Sequence, residues 1–242
     1  MQGICLMALT LLGMTFNGPD AALRVKAEPP VYVVKHVKKP IPIDGNWNKQ
    51  EWRKIKAVEI GNFIRTVPAF HPKTEVKMTY DAENIYVIFR VHDRYVRCIN
   101  TEVNGRVWED AAVELFFCPD TSSMDRYFNL EINCGGTALL GYRHKKPVEA
   151  DINRIEIAHS LPQKVDPEIT SPVVWTLEYR VPLAMLESYA PVVRPAKGVR
   201  WRANFCKIAE NSSNPHYMTW SPIDAPDPSF HMPAFFGSLQ FE

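Results

Sequence analysis

From Val31 onward, apolar residues recur at alternate positions in short runs broken by turn residues. In Ile85-Tyr86-Val87-Ile88-Phe89-Arg90-Val91 the residues Ile85, Val87, Phe89 and Val91 share one face, because successive side chains of a strand point to opposite sides. The pattern predicts strands at 75–81, 85–93, 112–119, 127–134, 137–142, 173–181, 201–209 and 236–241. Asp81-Ala82-Glu83-Asn84 supplies a tight turn between the first two, since Asp and Asn bond their own backbone. Only two short helices are expected, at 46–54 behind Asp44 or Asn46 as cap, and at 182–188, where Pro182 suits a first turn. Neither alternates with strands as in a βαβ fold. The expected class is all-β: an antiparallel, jelly-roll-like β-sandwich with one or two short helices.

The apolar run at 4–16 is too short to span a bilayer and has the length of a signal-peptide core. We therefore expect a leader over 1–27, an exported protein (periplasmic, cell-envelope or secreted), and one domain over 28–242. No repeat, low-complexity tract or long Gly/Ser linker divides that span, and the proline-rich stretches at 191–195 and 222–233 read as ordered surface loops. Lys and Arg total 28 against 27 Asp and Glu, so no field of one sign draws the chain to nucleic acid or an anionic membrane. The basic runs at 35–39 and 143–146 read as solvated loops or edges. Cys98, Cys118, Cys134 and Cys206 sit in or beside apolar runs and are expected as buried free thiols, with no C-x-x-C pair to suggest zinc.

Candidate chemistry gathers in two aromatic loops, Asn104-Gly105-Arg106-Val107-Trp108-Glu109-Asp110 and Pro228-Ser229-Phe230-His231-Met232-Pro233, both ahead of strands. Sugar rings present an apolar C–H face that stacks on aromatic rings, while their hydroxyls need directional polar partners. Glu109, Asp110 and Glu114 form an acidic cluster around Trp108 that admits three readings. They could accept bonds from sugar hydroxyls, coordinate calcium through oxygen ligands, or act as a glycosidase pair across a scissile bond at about 5–5.5 Å or 6.5–9.5 Å. The seven histidines show no metal-binding spacing, and no nucleophile elbow, P-loop or dinucleotide motif occurs.

The segments in order resemble the family 9 carbohydrate-binding modules, within the wider group of DOMON-like sandwiches. The resemblance opens at Pro42-Ile43-Asp44-Gly45 with Trp47 and Trp52, and continues through Val76-Lys77-Met78-Thr79-Tyr80-Asp81 and Asn84-Ile85-Tyr86-Val87. It runs on through Trp108 to Phe116 and Thr219-Trp220-Ser221-Pro222, and closes with Pro233 and Phe236-Gly237-Ser238-Leu239. It implies a non-catalytic protein that binds a mono- or oligosaccharide, requires no cofactor for binding, and carries calcium, where present, in a structural role. It also implies two aromatic clamps, matched by Trp108 and Phe230, and a hydroxyl-binding Glu matched by Glu114; Asp110 and His231 join them as candidate polar contacts. Where relatives turn an Arg and a Gln toward the sugar, this chain has Glu131 and Cys206. The DOMON side implies a further alternative, haem held between Met78, Met218 or Met232 and His216 or His231.

Overall fold

The computed structural model describes residues 28–123, 125–142 and 152–242. The expected leader at 1–27 and the basic run Arg143-His144-Lys145-Lys146 lie outside the described residues. The strands are β1 (Val31–His36), β2 (Val58–Ile60), β3 (Asn62–Phe63), β4 (Lys73–Tyr80), β5 (Asn84–Asp93), β6 (Val96–Cys98), β7 (Ala112–Cys118) and β8 (Phe128–Asn133). They continue as β9 (Ala138–Tyr142), β10 (Glu156–His159), β11 (Val165–Ile169), β12 (Val173–Pro182), β13 (Arg200–Ala209), β14 (His216–Thr219) and β15 (Gly237–Phe241). Two short helices, α1 (Gln50–Arg53) and α2 (Leu183–Glu187), complete the regular elements alongside short 3-10 turns.

The strands form the two layers of a sandwich. One layer runs β10-β12-β5-β4-β1 with β2 beside β4; the other runs β1-β15-β13-β7-β8-β9, with β14 on β13 and β3 on β14. Pairing is antiparallel as expected except at β1, which is parallel to both neighbours: Val31–Val34 pair with Ser238–Phe241, and Lys35 and His36 with Thr79 and Tyr80. The segment expected as a basic loop at 35–39 therefore begins inside a strand that joins the layers. β6 and β11 pair separately.

The inner faces interdigitate as the alternation predicts. Ile85, Val87, Phe89 and Val91 of β5 meet Leu115 of β7, Leu130 of β8 and Phe205 of β13 in one apolar core. Phe89 meets Phe205 edge to face at 6.3 Å and Tyr32 meets Phe205 in the same way at 6.1 Å, the geometry aromatic pairs prefer. Gly237 has no room for a side chain, since a Cβ there would stand 2.5 Å from the Trp220 ring. The expected turn between β4 and β5 forms: the Asp81 carboxylate accepts from the amides of Glu83 and Asn84 at 2.8 and 2.7 Å. All four described cysteines are buried and free.

The outer face of β5 is covered too. Tyr86 and Ile88 pack under Ile41, Trp47, Trp52 and Ile55, and this lid is fastened to β12 by one side chain. Glu178, fully buried, accepts from the amides of Asp44 and Gly45 at 3.0 and 2.8 Å and from the Trp52 indole at 2.8 Å. Lys49 lies 2.7 Å from it and neutralises it. Helix α1 is shorter than the expected 46–54 because Asp44 and Asn46 each bond the amide two residues on. Those Asx turns spend the capping groups on a loop and delay the helix.

Candidate functional site

The layer containing β7, β8, β9 and β13 turns a second face outward, and that face carries the chemistry. The register aligns Leu139, Glu131, Glu114 and Cys206 in one row across the four strands, and Gly141, Asn129, Phe116 and Asn204 in the next. These residues alternate with the core-facing Leu115, Leu130 and Leu140, as the two-residue period of a strand requires. Above them lies a cleft of about 570 Å³ whose lining includes Glu114, Glu131, Asn129, Trp108, Tyr217 and Phe230. Ile64, Arg65, Glu210 and His231 contribute to its rim.

Trp108 reaches the cleft from a 3-10 turn, Val107–Glu109, directly ahead of β7. Its carbonyl accepts from the Glu210 amide at 3.4 Å and that of Glu109 from Asn211 at 2.9 Å, so the turn is sewn to the end of β13. The ring stays half-buried, with the Arg106 guanidinium 6.0 Å from its centroid; Arg106 in turn is ion-paired to Glu109 at 2.5 Å. On the far wall Phe230 is almost fully buried, 6.1 Å from Phe116 and 6.3 Å from Tyr217. His231 stands edge-on to Phe116 at 5.0 Å, with Nδ1 3.0 Å from the Tyr127 hydroxyl. Tyr217 carries the Arg65 guanidinium over its ring at 4.5 Å and donates to Glu210 at 2.8 Å.

The floor is acidic. Glu114 and Glu131 are direct cross-strand partners and both are buried. Burial holds the Glu114 carboxyl well above the usual carboxylate range, and the Glu131 charge adds to the effect. Burial pushes Glu131 up to about 7, although the Asn129 amide, donating at 2.8 Å, pulls the other way. Asn129 can hold that position because its neighbour is Gly141, where a Cβ would stand 2.4 Å from the Asn129 Oδ1. Beside the pair, burial raises the Cys206 thiol, and both carboxylates reinforce that.

Of the residues singled out from sequence, the fold brings Trp108, Glu114, Phe230 and His231 to one cleft. Asp110 does not line it. Its buried carboxylate accepts from the amides of Ile99 and Asn100 at 3.0 and 2.9 Å and from the Asn133 side chain at 2.9 Å, which fixes the loop that carries Trp108. Phe230, expected as an open platform, is largely covered by its aromatic neighbours, because the loop folds its ring down onto Phe116 and Tyr217. Sequence reasoning missed Tyr217, Asn129 and Arg65. Asn129 had a visible signal: Asn129, Glu131 and Asn133 alternate on an otherwise apolar strand, which marks a polar outer face on a buried segment.

The other ligand alternatives find different settings. His216 is engaged at both ring nitrogens, Nε2 2.9 Å from Lys207 Nζ and Nδ1 2.7 Å from the Asn214 carbonyl, and Met78 lies in the core. Burial, then the Lys207 charge, lowers His216 to about 3. Calcium takes many oxygen ligands, and among the described residues no three His, Cys, Asp or Glu side chains converge to hold a metal ion. No described helix is long and apolar enough to cross a membrane.

A twisted β-sandwich with an aromatic-walled, acid-floored cleft on one outer sheet face has the architecture of a ligand-binding module. The chain belongs to carbohydrate-binding family 9, whose profile matches residues 41–241. A proposed carbohydrate-binding protein from Bacteroides uniformis is similar at 26% identity with TM-score 0.78, over 89% of this chain and 100% of that one. A family 9 carbohydrate-binding module from Caldicellulosiruptor kristjanssonii, solved with cellotriose, shares the fold at 16% identity and TM-score 0.62, over 87% of this chain and 93% of that one. Its structure with glucose gives 15% identity and TM-score 0.61, over 88% and 96%. The comparison with curated proteins gives no match.

Proposed function

We propose that this protein is a non-catalytic carbohydrate-binding protein that receives a sugar in the cleft on the β7-β8-β9-β13 face. The observation that carries the reading is the meeting of the half-buried Trp108 and Tyr217 rings, with Phe230 packed against Tyr217, over a hydrogen-bonding floor of Glu114, Glu131 and Asn129. Aromatic walls match the C–H faces of a sugar ring, and carboxylates and an amide match its hydroxyls. His231 and Arg65 at the rim extend the polar contacts. The apolar run at 4–16 supports export, so that the ligand would be met outside the cytoplasm.

A binding rather than a cleaving role fits the disposition of the acids. A glycosidase pair flanks the scissile bond, with an acid on one side and a base or nucleophile on the other. Here Glu109 is paired to Arg106, Asp110 is committed to backbone amides, and Glu114 and Glu131 stand side by side on one floor.

Calorimetric titration with mono- and oligosaccharides, glucose and cellotriose among them, tests the reading. Trp108→Ala should weaken the tightest sugar by about 10-fold or more, since burial of one stacked face contributes roughly 1.5–3 kcal/mol, while the melting transition remains cooperative. Unchanged affinity in Trp108→Ala would remove Trp108 as the platform, and no heat with any sugar would remove the reading.

A further inference from the structure

The cleft floor contains two carboxyl groups that strand register forces into contact, since Glu114 and Glu131 sit directly opposite on neighbouring strands. Side chains so placed have Cβ atoms about 4.5–5.5 Å apart, and like charges there repel. The fold does little to relieve this. Asn129 donates to one Glu131 oxygen, whereas the buried Glu114 Oε2 has no hydrogen-bond partner among the described residues. An unsatisfied buried carboxylate oxygen is costly to keep, and is kept where a ligand supplies what is missing.

What is missing is donors and positive charge together. A sugar hydroxyl brings one O–H and no charge, whereas an ammonium brings three N–H donors and a full charge. We propose that the cleft selects carbohydrate bearing a free amine, held as an ammonium between Glu114 and Glu131. This rests on the sugar-binding reading of the cleft. The groups around the pair agree with it. Glu210, at the end of β13, adds a third carboxylate, and Cys206 beneath is only a weak donor. The Lys207 charge pulls the Glu114 carboxyl down, but less than burial and the Glu131 charge push it up; Lys207 faces the opposite side of β13, where it bonds His216 and the Ile208 carbonyl and lies 3.5 Å from Asp93. The rim cations have other company, Arg65 over Tyr217 and Arg106 on Glu109, and His231 is against Tyr127 and Phe116.

The uptake also moves a proton. Without the amine the pair avoids a double charge by keeping a proton near neutrality. A ligand that arrives as an ammonium takes over its role and sends that proton to solvent, whereas one that arrives as a neutral amine takes the proton up itself; no bond to carbon is made or broken. Where the amine is already an ammonium in solution, its binding should therefore release protons, and neutral sugar binding should not.

The test compares oligomers of glucosamine, N-acetylglucosamine and glucose on the full chain by calorimetry at about pH 5.5, where the glucosamine amine is charged before it binds, in two buffers of different ionisation enthalpy. The expected result is an affinity for the glucosamine oligomer at least about tenfold above both others, the scale of a charge-assisted hydrogen bond, with net proton release. Glu131→Gln, which keeps the shape and removes one of the two charges, should lower the ratio toward one and reduce the release. Neutral sugars binding as well as the amine, or amine binding without proton release, would overturn the proposal and leave the carbohydrate reading standing. No binding by any of the three would overturn both. The wild-type ratio and proton count decide the matter even if the variant folds poorly.

Discussion

Glu131 is a group whose value to the fold depends on pH. Its pKa is raised from the ordinary glutamate value of 4.5 to about 7, mainly by burial, so the native state holds its proton where the unfolded chain has lost it. Stability is then fully present below pH 4.5 and is lost as pH rises toward and through about 7. We expect Glu131→Gln to match the wild type at pH 4 and to exceed it at pH 8 by on the order of 2–3 kcal/mol. Denaturant melts at the two values measure this, and an equal gain at both would show that the carboxylate is not the source of the strain. The same residue thus costs stability where it is charged, a common trade at binding sites.

Among the elements, the lid of residues 41–55 depends on Glu178. Removing that carboxylate orphans two amides and the Trp52 indole in one place and leaves the Lys49 ammonium only the Asp44 carboxylate and the Pro42 carbonyl. Glu178→Ala should cost about 3–5 kcal/mol, read as a lowered melting temperature, with sugar affinity at the distant cleft little changed in the protein that remains folded. The Asp44-Gly45 and Trp52 positions, which open the family resemblance in the sequence, are in this way architectural. Long strands were legible because β5, β7, β12 and β13 carry enough alternation to define a face. Strands β2, β3, β6 and β14 are too short to show a period, and β10 and β11 are polar enough to read as loop; each is specified by its partner strand. In the cleft, Trp108 and Glu114 were legible from a motif, while Tyr217 was not, because only the pairing of β14 with β13 brings it there. Asp110 misled because a carboxylate that caps amides and one that waits for a ligand look alike in sequence.

At the scale of the molecule, among the described residues the two layers are one continuous path only through β1, whose first half pairs β15 and second half β4. A chain ending before Gly237 should therefore lose more than one edge: β1 and β13 both lose their pairing with β15, and Leu239 and Phe241 leave the core. We expect such a truncation to show no cooperative melt in circular dichroism, whereas a retained melt would mean that β1 can hold the layers together alone.

The pairing of Val31 with Ser238 also sets the order of events in the life of the chain. Contacts between residues so far apart in sequence form slowly, because the loop between them must be closed before they return any energy. Lys35 and His36 can meet β4 early, but Val31–Val34 stay without their partner until Gly237–Phe241 has been synthesised, so the two layers cannot join around a growing chain. Until then that edge of the strand stays open, a state exposed to aggregation if it lasts too long.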